Sequence, residues 1–277
     1  MRVLILLPFV LAACASTKPR DATDEAIRLE LKGKPGEVTD TRYFSNSRVR
    51  TFTENQLIRD HQEAVDFTVR TDVKSYDAND KILKFKVTTT KKDGPVPLHD
   101  LAFPEYKESV DFVVHGASGK VLSAGSHSPQ GIFFVPSLPL PSGEVKVGDT
   151  WTMDHVWYSA SEGIPMKLDV VAIFKDIMPC GSDRCADIEI SGNVKIAPGI
   201  DPAMGRFESR IWGRLLFAVG RGEVVWSEMR NQEQMLAPKE RMDVVSCMLS
   251  ETKLTKEYRT KFDCTPDETL IQSVPKL

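Results

Sequence analysis

The histidines and carboxylates are the residues whose types could do acid–base or metal chemistry. No two of the five histidines have the His-Glu-x-x-His or His-x-His spacing that presents two ring nitrogens to one zinc ion. The sequence also lacks a Gly-x-Ser-x-Gly nucleophile elbow and a glycine-rich phosphate loop. Asp183 and Asp187 could flank a glycan, but a chain with 39 acidic residues offers many such pairs. We therefore predict no catalytic residues, no cofactor and no metal, and a protein that is not an enzyme.

The N-terminus has the pattern of an export signal that ends at a cysteine. One basic residue precedes an apolar run over residues 3–11, which is too short to span a bilayer. The "LAAC" that ends at Cys14 resembles the lipobox of bacterial lipoproteins. This resemblance implies cleavage before Cys14 and its acylation; ordinary signal cleavage that leaves an unmodified cysteine is the alternative. Because Ala15 follows, similarity to Gram-negative sorting rules implies a lipid anchor in the outer membrane, facing the periplasm or the cell surface.

The other four cysteines form an even set, which in an exported protein predicts two disulfides. They are Cys180, Cys185, Cys247 and Cys264. Four cysteines allow three pairings, and the local spacing favours Cys180–Cys185, around a "GSDR" turn, with Cys247–Cys264. The alternative, a redox or zinc site, is disfavoured because the Cys-x-x-Cys spacing is missing and no histidine stands near either pair in sequence.

Alternating apolar residues are the main structural signal after residue 40. In 64–73 ("AVDFTVRTDV") every second residue is apolar or threonine, and in 81–92 ("KILKFKVTTTKK") Leu83, Phe85 and Val87 alternate with lysines. A turn-forming "SYDAND" lies between the two runs. Further runs follow, separated by turns of glycine, asparagine, aspartate and serine. The pattern predicts a mainly β fold of antiparallel sheets, a curved half-barrel or sandwich-like, with little helix. One short helix is predicted near residues 21–33, with Thr23 as its cap and Gly33 as its stop.

A weak internal repeat suggests two β units of similar plan. "SGKVLSAG" (118–125) resembles "RGEVVWSE" (221–228), although this motif is also a common hairpin turn. These patterns divide the chain into a lipoprotein signal peptide (1–13), a lipid-anchored tether (14–38), a first β unit (39–135), a proline-rich crossover (136–149), a second β unit (150–255) and a C-terminal tail tied by a disulfide (256–277).

The segment 136–151 ("PSLPLPSGEVKVGDTW") is the most distinctive part of the chain. Its prolines cannot donate hydrogen bonds to a sheet, so the segment is predicted to be an extended crossover that covers a sheet end. The alternative is the rim of an apolar ligand cavity. That rim would be lined by Phe133, Phe134, Leu138 and Trp151.

The lipobox, the "LPLPSGEVKVGDTW" stretch and the β-rich remainder together resemble uncharacterised bacterial lipoproteins of the domain-of-unknown-function type. The resemblance covers about residues 100–230 and implies no catalytic residue.

Three functions follow as hypotheses. The first is a non-enzymatic envelope lipoprotein, held to the membrane through Cys14, that binds a partner protein. The second is a periplasmic carrier that holds an apolar ligand such as a lipid in a β half-barrel. The third is a cell-wall hydrolase with an unrecognised site. A net charge of −3 gives no electrostatic case for nucleic acid as a partner.

Overall fold

Strands that follow one another along the chain are mostly neighbours in one large sheet. The computed structural model describes residues 25–127, 140–158, 165–199, 205–252 and 264–266, with side chains omitted for 153–158. Within these ranges the strands are β1 (Ile27–Arg28), β2 (Val38–Thr53), β3 (Gln56–Asp77), β4 (Ile82–Asp93), β5 (Ser109–His115), β6 (Lys120–Ala124), β7 (Glu144–Val145), β8 (Thr150–Tyr158), β9 (Pro165–Cys180), β10 (Asp183–Ile196), β11 (Arg206–Ala218), β12 (Glu223–Leu236) and β13 (Glu240–Thr252).

Eleven of these strands form one antiparallel sheet, in the order β6-β5-β4-β3-β2-β13-β12-β11-β10-β9-β8. The remaining two, β1 and β7, pair with each other. Among the described residues the helical structure is a single 3₁₀ turn, Leu98–Leu101. The predicted mainly β, antiparallel fold is therefore confirmed. The two regions predicted as β units are joined in this sheet, because β13 pairs along its whole length with Thr41–Thr53 of β2 at the centre of the sheet.

Alternation along the strands decides which side chains form the core. Val65, Phe67 and Val69 of β3 are each 1% exposed, while Arg70 on the other face is exposed. Leu83, Phe85 and Val87 of β4 are buried in the same way. Residues that oppose each other in register share a face, so these side chains mark the core face of the sheet from strand to strand.

The sheet bends round towards its core face. Leu31 donates its backbone N–H to the carbonyl of Gly116 (2.9 Å) and the next residue, Lys32, donates to the carbonyl of Gly222 (3.2 Å). The two acceptors lie in the β5–β6 and β11–β12 turns, which six strand spacings, about 29 Å, would separate in a flat sheet. Since adjacent residues reach both turns, the sheet curves into a half-barrel at this end. We call its inner surface the concave face and its outer surface the convex face.

Two glycines allow close backbone approach on the concave face. A Cβ at Gly192 would lie 2.2 Å from the carbonyl oxygen of Asp169, and one at Gly213 would lie 2.5 Å from that of Glu228. Gly192 and Gly213 stand in adjacent strands, and Gly213 lies opposite Ile190, two residues from Gly192 along β10. No side chain larger than hydrogen fits there, and such positions commonly mark bends in curved sheets.

The predicted helix near residues 21–33 is wrong where the structure describes this stretch. Residues 27–31 are extended, with Ile27 in β1 opposite Val145 of β7. Ile27, Leu29 and Leu31 are 5%, 0% and 6% exposed. Their spacing of two places all three side chains on one side of an extended chain, and each contributes about 2 kcal/mol by burial. We call residues 27–32 the strap; they lie within the stretch that the sequence assigns to the tether.

The convex face carries charged pairs and both disulfides. Cys180–Cys185 joins β9 to β10 with a Cα–Cα distance of 5.6 Å, and Cys247–Cys264 fixes residues 264–266 to β13. The side-chain amide of Asn46 donates a hydrogen bond to the carbonyl of Cys264 (3.0 Å). These are the two pairs that the local spacing favours, and each sits in a small apolar cluster separate from the main core.

The concave face as a candidate binding site

One half of the concave face is filled by protein. We call this the filled half: it bears the β3–β4, β5–β6, β9–β10 and β11–β12 turns, and the strap packs into it. The strands on either side of the central β2–β13 pair form the two arms of the curved sheet. Fully buried side chains from both arms meet there in one cluster, including Phe67, Phe174 and Phe217. The filled half is therefore a core and not a ligand cavity.

The loop after β4 seals this core from the side. Phe103 packs on Tyr43 and Phe67, with ring centroids 4.7 and 4.9 Å apart. Glu105 holds the loop in place, since it accepts hydrogen bonds from the Lys92 ammonium (3.0 Å) and from the backbone N–H of Leu98 (2.5 Å). Burial acts to raise the pKa of Glu105, but these hydrogen bonds outweigh it and lower the pKa to about 2.

The other half of the concave face, towards the β2–β3 and β12–β13 turns, is lined by apolar side chains that stay accessible. We call these residues the methionine floor. Their register places them on the same face as the core, yet each is half-buried or exposed, and Met235 is 45% exposed. The methionine floor consists of Val49, Phe207, Ile211, Met229, Met235, Met242 and Val244.

A polar chain crosses the methionine floor. The Ser246 hydroxyl donates to the side-chain carbonyl of Asn231, and the Asn231 amide donates to Oε1 of Glu233 at 2.5 Å. Glu233 is half-buried. Desolvation by the surrounding protein raises its pKa, although the hydrogen bond from Asn231 acts to lower it.

A buried hydroxyl lies beside this carboxyl. Ser209 on β11 is directly opposite Glu233 in register and is 3% exposed. Its Oγ has no hydrogen-bond partner among the described residues. An unpartnered buried hydroxyl costs about 1–3 kcal/mol, so a donor or acceptor supplied from outside would be stabilised here.

The residues predicted as an apolar rim are described only in part. Phe133, Phe134 and Leu138 lie outside the described residues, as does the lipidation site Cys14. Trp151 is half-buried and packs against the main core. It also borders an open groove of about 530 Å³, whose walls are mostly polar and include Ser142, Glu144, Asp149 and Thr150.

The carboxylate pair considered for glycan chemistry serves the fold. Asp187 makes a two-pronged ion pair with Arg214 (2.6 and 2.7 Å). Asp183 accepts backbone hydrogen bonds from Gly220 (3.0 Å) and Arg221 (2.9 Å) and so ties the β9–β10 turn to the β11–β12 turn. Each carboxylate thus has a structural partner.

Neither a metal-binding cluster nor a membrane-spanning helix is found within the described ranges. No group of three or more histidine, cysteine, aspartate or glutamate side chains could hold a metal ion there. In that same part of the chain, no helix has the length and apolar character needed to cross a membrane.

Comparison with known proteins gives only distant structural likenesses. No protein-family model and no curated protein matches the sequence. A lipovitellin structure concerned with lipid–protein interactions matches with a TM-score of 0.45 and 9% identity, over 85% of this chain and 27% of that one. The present chain thus spans about a quarter of the lipovitellin chain.

Two bacterial structures also match. The hypothetical lipoprotein YmcC from Escherichia coli has a TM-score of 0.29 and 11% identity, over 73% of this chain and 83% of that one. An outer membrane channel from Pseudomonas putida has a TM-score of 0.24 and 9% identity, over 85% and 99%. All three scores are below 0.5, so we base no functional argument on them, and the lipoprotein resemblance stays a prediction.

The methionine floor was missed at the sequence level. Met229, Asn231, Glu233 and Met235 do alternate within one strand-like run. However, the same face also carries Asn231 and Glu233, so its apolar signal is too weak to tell which face turns inward. The signal that could have found it is the excess of methionine in β12 and β13, since methionine suits surfaces that adapt to different ligands.

Proposed function

We propose that the protein is a non-enzymatic, lipid-anchored envelope protein that holds an apolar or amphiphilic ligand on the methionine floor. The observation that carries the proposal is that the concave face continues beyond the packed core as an accessible apolar surface. A folded chain ordinarily buries such a surface, and apolar patches that stay exposed in a concavity are typical of binding sites.

The division of the concave face supports a carrier-type role. In the filled half, aromatic side chains, the strap and the loop carrying Phe103 occupy the space between the arms of the sheet. On the methionine floor three of the seven side chains, Met229, Met235 and Met242, are flexible and unbranched. Methionine adapts its shape to an apolar partner at low cost, which suits a ligand of variable chain length.

The test uses a fluorescent apolar probe, N-phenyl-1-naphthylamine, and the full chain carrying Cys14→Ser. Met242→Gln should weaken probe binding about fivefold, because it replaces apolar contact area with a polar amide. Met178→Gln is the matched control, since Met178 packs beside the Cys180–Cys185 disulfide on the convex face. Equal binding by the two variants, or no binding by the parent, would overturn the proposal.

Native mass spectrometry of protein extracted gently from its own membrane gives an independent readout. A lipid-sized mass that co-purifies with the parent and is reduced in Met242→Gln supports the carrier role. A bare protein mass together with a crosslinked protein neighbour would instead favour the partner-binding hypothesis.

One feature favours partner binding as a second candidate. Leu57 and Ile58, at the tip of the β2–β3 hairpin, are 51% and 63% exposed. Two adjacent exposed aliphatic side chains on a projecting hairpin would be removed from water by contact with an envelope protein. Replacing both with serine should abolish such a crosslink and leave probe binding unchanged.

A further inference from the structure

We infer that Glu233 is the head-group contact for an amphiphile whose polar end donates hydrogen bonds, with its apolar chain lying on the methionine floor. The inference rests on the proposed function and specifies its ligand class: a long-chain amine or alcohol is preferred to a long-chain acid. Three independent features of the described residues lead to it.

The first feature is the position of the carboxyl. Glu233 lies on the concave face between Ser209 of β11 and Val244 of β13, with Met235 two residues further along β12. On the same face of β12 its neighbours are Asn231 and Met235. Met235 belongs to the methionine floor, so apolar surface lies directly beside the polar contact. A ligand could place one polar group at Glu233 and an apolar chain beside it without leaving the concave face.

The second feature is the incomplete hydrogen bonding. Asn231 donates to Oε1 of Glu233, and the Asn231 carbonyl is itself occupied by the Ser246 hydroxyl. These two hydrogen bonds fix the orientation of the Asn231 amide, so that its N–H group points at Glu233 and Glu233 acts as an acceptor. Glu233 retains unused lone pairs, because an ionised carboxylate has about four acceptor sites.

The third feature is Ser209, whose buried hydroxyl is unpartnered within the described part of the chain. Residues directly opposite each other in an antiparallel pair have Cβ atoms about 4.5–5.5 Å apart, so one head group can contact both Glu233 and Ser209. A hydroxyl head donates to Glu233 and accepts a hydrogen bond from the Ser209 hydroxyl, and an ammonium head donates to both oxygens. A carboxylate head would instead face Glu233 with a second acceptor.

The charge of Glu233 sets the order of preference. Desolvation disfavours its ionised form, as the raised pKa reflects. An ammonium head offsets this penalty more than a hydroxyl head does, while an anionic head increases it. The expected order of affinity is decylamine, then decanol, then decanoate.

Isothermal titration of these three amphiphiles, below their micelle-forming concentrations, into the full chain carrying Cys14→Ser tests the order. Decylamine should bind about tenfold more tightly than decanol. Glu233→Gln should remove this difference, because the amide still accepts a hydrogen bond but carries no charge. Glu228→Gln is the matched control, since Glu228 lies on the convex face of the same strand and pairs with Arg230.

Ser209→Ala gives a second readout that does not alter charge. It should weaken decanol binding about threefold and leave the melting temperature unchanged or raised, because it removes a buried unpartnered hydroxyl. The inference would be overturned if the parent did not show this order of affinity, or if the order persisted in Glu233→Gln. The proposed function would still stand in either case, provided that the amphiphiles bind. Absence of binding by all three amphiphiles would instead overturn the proposed function itself.

Discussion

The two halves of the concave face are built from the same strands but differ in what covers them. In β2, Tyr43 is 7% exposed beneath Phe103, whereas Val49, six residues further along the same face, is only half-buried. In β13 the same face likewise passes from buried Met248 to the accessible Met242. The strands are therefore longer than the core requires.

This difference separates stability from binding. Side chains of the filled half pack against one another, so replacing them changes the free energy of unfolding. Side chains of the methionine floor have fewer protein neighbours, so replacing them mainly changes what the face can bind. The predictions below test that separation, starting with the largest effect.

Leu29→Ala should lower the free energy of unfolding by about 4 kcal/mol. Leu29 is 0% exposed in the strap, and the truncation leaves a cavity between the arms of the sheet. Urea denaturation followed by circular dichroism measures the change. Leu57→Ala is the matched control, because Leu57 is 51% exposed and its loss should cost no more than about 0.5 kcal/mol. Similar costs for the two variants would mean that the strap is not part of the core.

Removal of the Cys247–Cys264 disulfide should lower the free energy of unfolding by about 3 kcal/mol. Removal of Cys180–Cys185, which closes a shorter loop, should lower it by about 2 kcal/mol in the same loop-entropy model. Paired cysteine-to-alanine variants and their melting curves give both values. Both bonds lie on the convex face, so probe binding should be unchanged at a temperature where the variants stay folded. A loss of binding there would contradict the assignment of ligand contact to the concave face alone.

Glu105→Gln should cost about 2 kcal/mol at neutral pH, because the amide cannot replace the ionised carboxylate that holds the loop over Tyr43. The pKa of Glu105 is lowered from 4.5 unfolded to about 2 folded. The unfolded state therefore binds more protons between these values. The stability difference between parent and variant should be complete above about pH 5 and should vanish as the pH falls towards 2.

Chemical denaturation at a series of pH values checks this prediction. Glu108→Gln, an exposed residue of the same loop, is its control and should follow the parent at every pH. A difference between parent and Glu105→Gln that grows on acidification would show that the sign of the linkage is wrong.

Met235→Gln should change the free energy of unfolding least, by no more than about 0.5 kcal/mol, since the side chain is 45% exposed. Its effect should appear in binding, as a two- to threefold weaker affinity for the apolar probe. A large loss of stability with unchanged binding would reverse the comparison between the two halves.

Local patterns predicted the fold class and some of the core. Alternation in β3 and β4 placed Phe67 and Phe85 on the apolar side of their strands, because a period of two is typical of a half-buried strand. The strap was mistaken for a helix because Thr23 and Gly33 suit the cap and the stop of a short helix. In the structure the backbone N–H groups of the strap donate hydrogen bonds to carbonyl oxygens in turns that are distant in sequence. No local sequence pattern predicts such contacts.

The pairing of β2 with β13 was equally beyond local reasoning. It joins residues about two hundred positions apart, and it makes one sheet of the two regions that the weak repeat divides. The candidate site depends on that pairing, since Val49 and Val244 become neighbours only through it. Glu233 belongs to the same category: its environment comes from three strands, and its sequence context is that of an ordinary solvated strand.

The strap also sets the reach of the molecule from a membrane. Glu25, just before the strap, forms an ion pair with Arg184 at the β9–β10 turn (2.6 Å), so the chain enters the fold at the turn-bearing end. If Cys14 carries the lipid that its sequence predicts, the eleven residue steps to Glu25 span at most about 38 Å. The turn-bearing end then stays within that distance of the bilayer. The tip of the β2–β3 hairpin lies a further 50 Å or so along the strands, so it can reach farther from the anchoring leaflet than the turn-bearing end can.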